Sequence, residues 1–213
     1  MRTITFRNAG LLFKTVAVIF FMACACVESR ADDGGSWISL QANKSWQKSY
    51  GFLRLEHRSF NSFSDTEAKV LATGLGLKLT PWLKADLSYE YWDINNSVTM
   101  HKAVLSGTGT LSRGGLSVSV REKLEFAVNP ATSSTSFVLR SRLRAQYSLP
   151  DSAFRPYIMS ENFAWSSWIR SLYYVGTDIV LSQHSTFDLF YLYHVPAGAQ
   201  QVHLVGIGYN FNF

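Results

Sequence analysis

His57 and Ser59 stand two residues apart in an alternating run from Tyr50 to Asn61. On an extended strand, both side chains therefore lie on one face. An imidazole beside a hydroxyl can take its proton and activate it for attack on an ester. Leu53 and Leu55 share that face, so the chemistry within reach is hydrolysis of a lipid ester. The orienting third group is the missing member, with Asn61 and Glu67 as the nearest candidates. The preferred reading is plainer: a His-x-Ser pair arises often by chance, and His57 fits a girdle at a membrane interface, with no catalytic role. His101, His184, His194 and His203 are isolated and lack metal-ligand spacing. Two cysteines, Cys24 and Cys26, are too few for a disulfide scaffold or a thiolate metal site. No cofactor and no metal are expected.

A second set of residues could act by charge. Arg54, Glu56 and Arg58 form one triplet on alternate positions, and Lys84, Asp86 and Glu90 form another. Arg121, Lys123 and Glu125, then Arg140, Arg142 and Arg144, with Glu161 beyond, complete the set. Residues two apart share a strand face, so each triplet is a short ladder. If these ladders line the inside of a barrel, the plain reading is a satisfied salt-bridge network that fills it. The functional reading is a narrow constriction selecting small anions, since rings of arginine favour them.

What must position these residues is a set of strands. Beyond Asp32 no helical stripe is sustained, whereas period-2 alternation recurs. Leu71, Leu75 and Leu77 alternate with glycine and lysine, Leu83 to Tyr91 with Lys84 to Glu90, and Leu139 to Tyr147 with the arginine ladder. About eleven segments result, several longer than the ~5–6 residues of ordinary strands. Strands of ~9–11 tilted residues are what a bilayer-spanning barrel requires. The fold class expected is an all-β, antiparallel up-and-down transmembrane β-barrel of about 10–12 strands. Membrane barrels of this kind have even counts. Ten full strands are therefore expected, with Trp37–Trp46 partial and the weak Val98–Leu111 segment the place where a twelfth could hide. Glu122 falls on the lipid side of its strand and calls for a bulge or a rim position.

The 213 residues carry a formal +5, but location matters more than the total. Arg2, Arg7 and Lys14 precede a thirteen-residue apolar run, Thr15–Val27, and Ser29-Arg30-Ala31 follows. This is the layout of a cleaved secretory signal, too short to span a bilayer as a helix. An anchor through Cys24 or Cys26 is the lesser alternative. Residues 1–31 are thus expected to be a signal peptide and 32–213 the barrel. Without the leader, sixteen basic and fourteen acidic residues remain, a net of +2, and nothing calls for nucleic acid. Connections are expected to alternate short and long, as periplasmic turns and outer loops do. Trp37, Trp46, Tyr50, Trp82, Trp92, Trp165 and Trp168 read as interfacial girdles. The chain stops at Phe213 on an alternating aromatic strand with Tyr209 and Phe211, similar to the signal read by barrel assembly machinery.

The order of segments carries a family likeness. A Trp-led first strand is followed by Leu55-Glu56-His57-Arg58, an arginine-rich central pair and Pro156-Tyr157 leading to Glu161-x-Phe163. Ile169-Arg170 and a final strand from His203 to Phe213 complete the order. This resembles the bacterial outer-membrane barrels grouped as domain of unknown function 2490, over essentially the whole mature chain. The resemblance implies the barrel fold and the outer membrane of a Gram-negative cell, with no activity attached. The expected function is an outer-membrane barrel without catalytic role, structural or a narrow pore for small, possibly anionic, solutes. Its partners would be outer-membrane lipid and the assembly machinery. The alternatives are a lipid hydrolase of phospholipase or lipid A deacylase type, using His57 and Ser59, and a soluble periplasmic binding barrel.

Overall fold

The computed structural model describes residues 34–60, 65–165, 167–198 and 201–213. The expected signal segment and the boundary at residue 31 lie outside them. Eleven strands are described: β1 Gly34–Ser45, β2 Ser49–Phe60, β3 Asp65–Lys78, β4 Leu83–Ile94, β5 Val98–Arg113, β6 Leu116–Asn129, β7 Ser134–Tyr147, β8 Phe154–Trp165, β9 Ser167–Val180, β10 Ser185–Pro196 and β11 Val202–Asn212. Each pairs antiparallel with the next, and the sheet closes between β1 and β11. Closure satisfies every edge, which a sheet in hydrocarbon requires.

The closing pair is parallel, with Ile38 opposite Ile207 and Leu40 opposite Tyr209. An odd number of consecutive antiparallel strands leaves the first and last pointing the same way, so only a parallel seam can close them. The expectation of ten full strands is corrected on this point. β1 is a full strand because β11 supplies the partner that an even count would have denied it. The weak segment hides no turn either. β5 is one continuous strand of 16 residues, its Gly107 paired between Ala85 and Glu122.

The expected alternation of loop lengths also fails. At the end that carries Phe213 the connections are 46–48, 79–82, 114–115, 148–153 and 181–184, and at the opposite end the fully described ones are 95–97 and 130–133. Neither end has systematically longer loops. β7 begins at Ser134, where Ser134-Thr135-Ser136 pairs with Ala127–Asn129. Among the fully described connections the tightest is the Gly114-Gly115 hairpin, both residues at positive φ, the mirror-image turn whose twist matches the flanking strands.

The wall is turned inside out relative to a water-soluble barrel. Exposed positions carry Leu40, Leu53, Leu75 (70% exposed), Leu87, Leu105 and Ile158, while buried positions carry Glu56, Glu90, Lys123, Glu125, Arg140 and Glu161. Alternation explains this, since each strand presents one parity outward to lipid and the other to the lumen. One side of the lumen is filled by Trp37, Tyr157, Phe163, Leu172, Tyr174, Phe190, Leu192 and Leu204. Four inward aromatic rings lie flat over glycines directly across from them: Tyr50 over Gly76, Phe52 over Gly74, Tyr157 over Gly176 and Phe190 over Gly206. A side chain at Gly206 would come within 2.0 Å of the Phe190 ring. The glycine is what lets the ring fold back against the wall.

Two bulges interrupt the ladders, at Arg58/Ser59 between β2 and β3 and at Phe163/Ala164 between β8 and β9. Both lie at the end away from Phe213. A bulge adds one unpaired residue and re-aims its neighbours. In β3 that extra residue is Glu67, since Arg58 pairs with Ala68 and Ser59 with Thr66.

Candidate functional site

The inward positions of β2 and β4 to β8 bring the charged ladders together in two chains of alternating sign. In the first, Glu56 meets Arg58 at 2.8 Å and Arg54 at 2.8 Å. Arg54 continues to Glu90 at 3.0 Å, and Lys123 lies 3.6 Å from Glu90. Trp92 donates its indole N–H to Glu90 at 2.9 Å. In the second chain Lys102 meets Glu125 at 3.2 Å, and Arg140 bridges Glu125 at 3.6 Å and Glu161 at 2.5 Å. Glu161 is the hub. It also accepts from Arg121 at 2.9 Å and Tyr174 at 3.2 Å, with Arg142 at 4.0 Å. Only 1% of its surface is exposed. Seven cations (Arg54, Arg58, Lys102, Arg121, Lys123, Arg140, Arg142) thus surround four carboxylates (Glu56, Glu90, Glu125, Glu161).

Aromatic rings hold several of these cations in place. The Arg58 guanidinium sits 3.7 Å from the Trp37 ring and 4.7 Å from Trp92, and Lys102 lies 4.0 Å from Trp92. Arg140 lies over Phe163, and Arg144 over Tyr157 at 3.9 Å. Desolvated contacts of this kind contribute about 2 kcal/mol each. They also offset the rotamer entropy that ordering these long side chains costs.

Nearer the Phe213 end, Arg144 meets Asp178 at 2.8 Å and Gln146 donates to the same carboxylate. Tyr157 donates to Asp188, and Tyr50 to Asp86. Lys84 is exposed at this mouth, 5.6 Å from the Tyr50 ring. At the opposite end a small cavity of about 20 Å³, room for one water, is lined by Trp37, Arg58, Glu67, Arg170, Leu172, Leu192, His194 and Leu204. The β3 bulge is what delivers Glu67 there.

Several residues join the lumen that the sequence reading did not place in it. Lys102 escaped because β5 alternates weakly. Asp178, Asp188 and Arg170 escaped because each is a single charge among apolar neighbours. Three of the seven girdle aromatics are corrected. Trp37 and Trp92 are buried at 9% and 6% exposure, and Tyr50 points inward to Asp86. The physical cause is their strand parity, shared with Ser39, Glu90 and Arg54. Trp46, Trp82, Trp165 and Trp168 are about half exposed on the outer wall.

Glu122 is neither at a rim nor beside a bulge. It is exposed in mid-strand between Gly107 and Ser141, in unbroken register, and accepts from the Ser141 hydroxyl at 2.5 Å. A cross-strand serine thus satisfies one carboxylate oxygen, where a change of register had been expected.

The candidate catalytic pair is not assembled. Ser59 is buried and its hydroxyl meets the Ser36 hydroxyl across β1 at 2.7 Å. No hydrogen bond joins it to His57 among the described residues. Glu67, one candidate orienting group, lines the lumen cavity instead; Asn61, the other, lies outside the described residues. Among the described residues no group of three metal-binding side chains occurs.

A closed all-β barrel, antiparallel except at the β1/β11 seam, with an apolar outer wall and a charge-filled lumen defines a transmembrane β-barrel. The chain belongs to the family described as protein of unknown function DUF2490, whose model matches residues 34–202. Among solved structures it is similar to one titled as a NanC porin, at 12% identity and a TM-score of 0.49, covering 76% of this chain and 85% of the other. The sequence matches no curated protein.

Proposed function

We propose that this chain is an outer-membrane barrel without catalytic role, whose lumen is a narrow, low-conductance passage preferring small anions. The supporting observation is the charge balance of the ion-pair chains along the lumen: seven cations against four carboxylates. An excess of fixed positive charge at a constriction lowers the barrier for anions and raises it for cations. Ion pairs that reach past an intervening strand, as Arg54 to Glu90 and Arg121 to Glu161 do, would keep the conductance small. In the proposed orientation the Phe213 end faces the periplasm. The terminal aromatic strand, Tyr209, Phe211 and Phe213, would be read by the assembly machinery, and outer-membrane lipid would cover the leucine-rich wall.

Single-channel recording of refolded protein in a salt gradient tests the reading. The expected result is a small conductance with a reversal potential of the sign that marks anion preference. No conductance at any voltage would leave a structural barrel, and cation preference would overturn the selectivity. Deleting Phe213 should lower the yield of assembled, heat-modifiable protein in cells. Recovery of the chain as a soluble protein after osmotic shock would overturn the location.

A further inference from the structure

The charges of the lumen are unevenly distributed along its axis. Toward the opposite end Arg58, Lys102 and Arg170 are matched in number by Glu56, Glu67 and Glu125. Toward the Phe213 end the inward strand positions among the described residues carry Lys78, Lys84, Arg121, Arg142, Arg144 and Arg155, against Asp86, Asp178 and Asp188. Those three carboxylates are already engaged: Asp86 by Tyr50, Asp178 by Arg144 and Gln146, Asp188 by Tyr157. Lys78, Lys84 and Arg155 are exposed at the mouth. Arg142 reaches no carboxylate closer than Glu161 at 4.0 Å.

From this we infer that the mouth at the Phe213 end is a binding site for a small multivalent anion bearing phosphate or several carboxylates. The inference rests on the pore reading and adds which mouth loads and what it holds. Three cations at the mouth and Arg121 and Arg142 below them come from five different strands, β3, β4, β6, β7 and β8. These strands lie within the continuous arc β3 to β8, so the cations line one curved side of the mouth. A low-dielectric wall focuses such a field along the axis and concentrates counter-ions at the entrance. Two arginine forks add planar, bidentate recognition of phosphate or carboxylate, while the lysines act as point charges. A monovalent anion would be held weakly by so dispersed a set, and a multivalent one gains from each cation. The Glu161 hub closes the inner side, so an anion collected here rests against Arg121 and Arg142.

Inorganic tripolyphosphate is the probe, titrated calorimetrically into refolded protein in neutral detergent. Binding should weaken steeply with added salt. The K84Q/R155Q double variant should lower affinity at least tenfold while retaining heat-modifiable migration. R170Q, at the other mouth, should stay within twofold of the parent. An equal loss in R170Q, or absence of binding, would overturn the site. An equal loss in K44Q/R113Q, whose residues stand at the outer wall of the same rim, would assign the effect to headgroup contact and overturn it too. Conductance separates the two readings. If tripolyphosphate binds in this pattern but no channel forms, the pore falls and the site stands. If an anion-preferring channel forms that K84Q/R155Q does not alter, in block or in binding, the site falls and the pore stands.

Discussion

Substituting Glu161 by glutamine keeps the shape of the hub and removes only its charge. Glu161 accepts from Arg140 at 2.5 Å, Arg121 at 2.9 Å and Tyr174 at 3.2 Å, with Arg142 at 4.0 Å. After the change Arg140 retains Glu125 at 3.6 Å, whereas Arg121 and Arg142 lose the carboxylate nearest to each. Removing one partner of a buried ion pair costs about 3–5 kcal/mol, because the remaining charge stays desolvated. Lumen water and some relaxation of Arg142, whose side chain is 21% exposed, favour the lower half of that range. The expected loss is about 3–4 kcal/mol, or roughly two to three powers of ten in the folding equilibrium. Guanidinium unfolding in lipid vesicles, followed by tryptophan fluorescence, measures it. Combining Glu161→Gln with Arg121→Met should restore part of the loss, with a coupling of ~1–3 kcal/mol. A destabilisation under about 1 kcal/mol, or additivity in the double variant, would refute the hub as the element that neutralises the lumen.

Gly206→Ala should destabilise by ~1–3 kcal/mol through overpacking against Phe190, and Phe190→Leu should recover part of it in the same unfolding assay. Glu122→Leu should stabilise the barrel in bilayers by about 1 kcal/mol, since a lipid-facing carboxyl is unfavourable near mid-membrane. A clear loss of stability would mean that the carboxyl has a partner in the membrane. His57→Ala and Ser59→Ala should each leave fatty-acid release from phospholipid or lipid A unchanged, at the level of a barrel-free control. Hydrolysis that disappears in both variants, with heat-modifiability intact, would reinstate the lipid hydrolase.

The fold class was legible because alternation is a local property. Leu71, Leu75 and Leu77 on one parity, and Arg140, Arg142 and Arg144 on the other, dictate strands with one lipid face and one polar face, whatever they pair with. The same parity also held the correct placement of Trp37, Trp92 and Tyr50. Each is in phase with a lumen residue, and a general preference of aromatics for the interface hid it. Tertiary structure alone decided three things. The parallel seam between β1 and β11 depends on the total strand number, which no single segment contains. Glu67 enters the lumen because a one-residue bulge reverses the facing that alternation assigns. The ion pairs depend on the barrel's narrow bore. Arg54 on β2 reaches Glu90 on β4, Arg121 on β6 reaches Glu161 on β8, and Arg144 on β7 reaches Asp178 on β9. Each skips the intervening strand, because curvature brings long side chains of next-nearest strands together. Ser59, meanwhile, finds Ser36 across β1, a partner that its two-residue spacing from His57 gave no reason to expect.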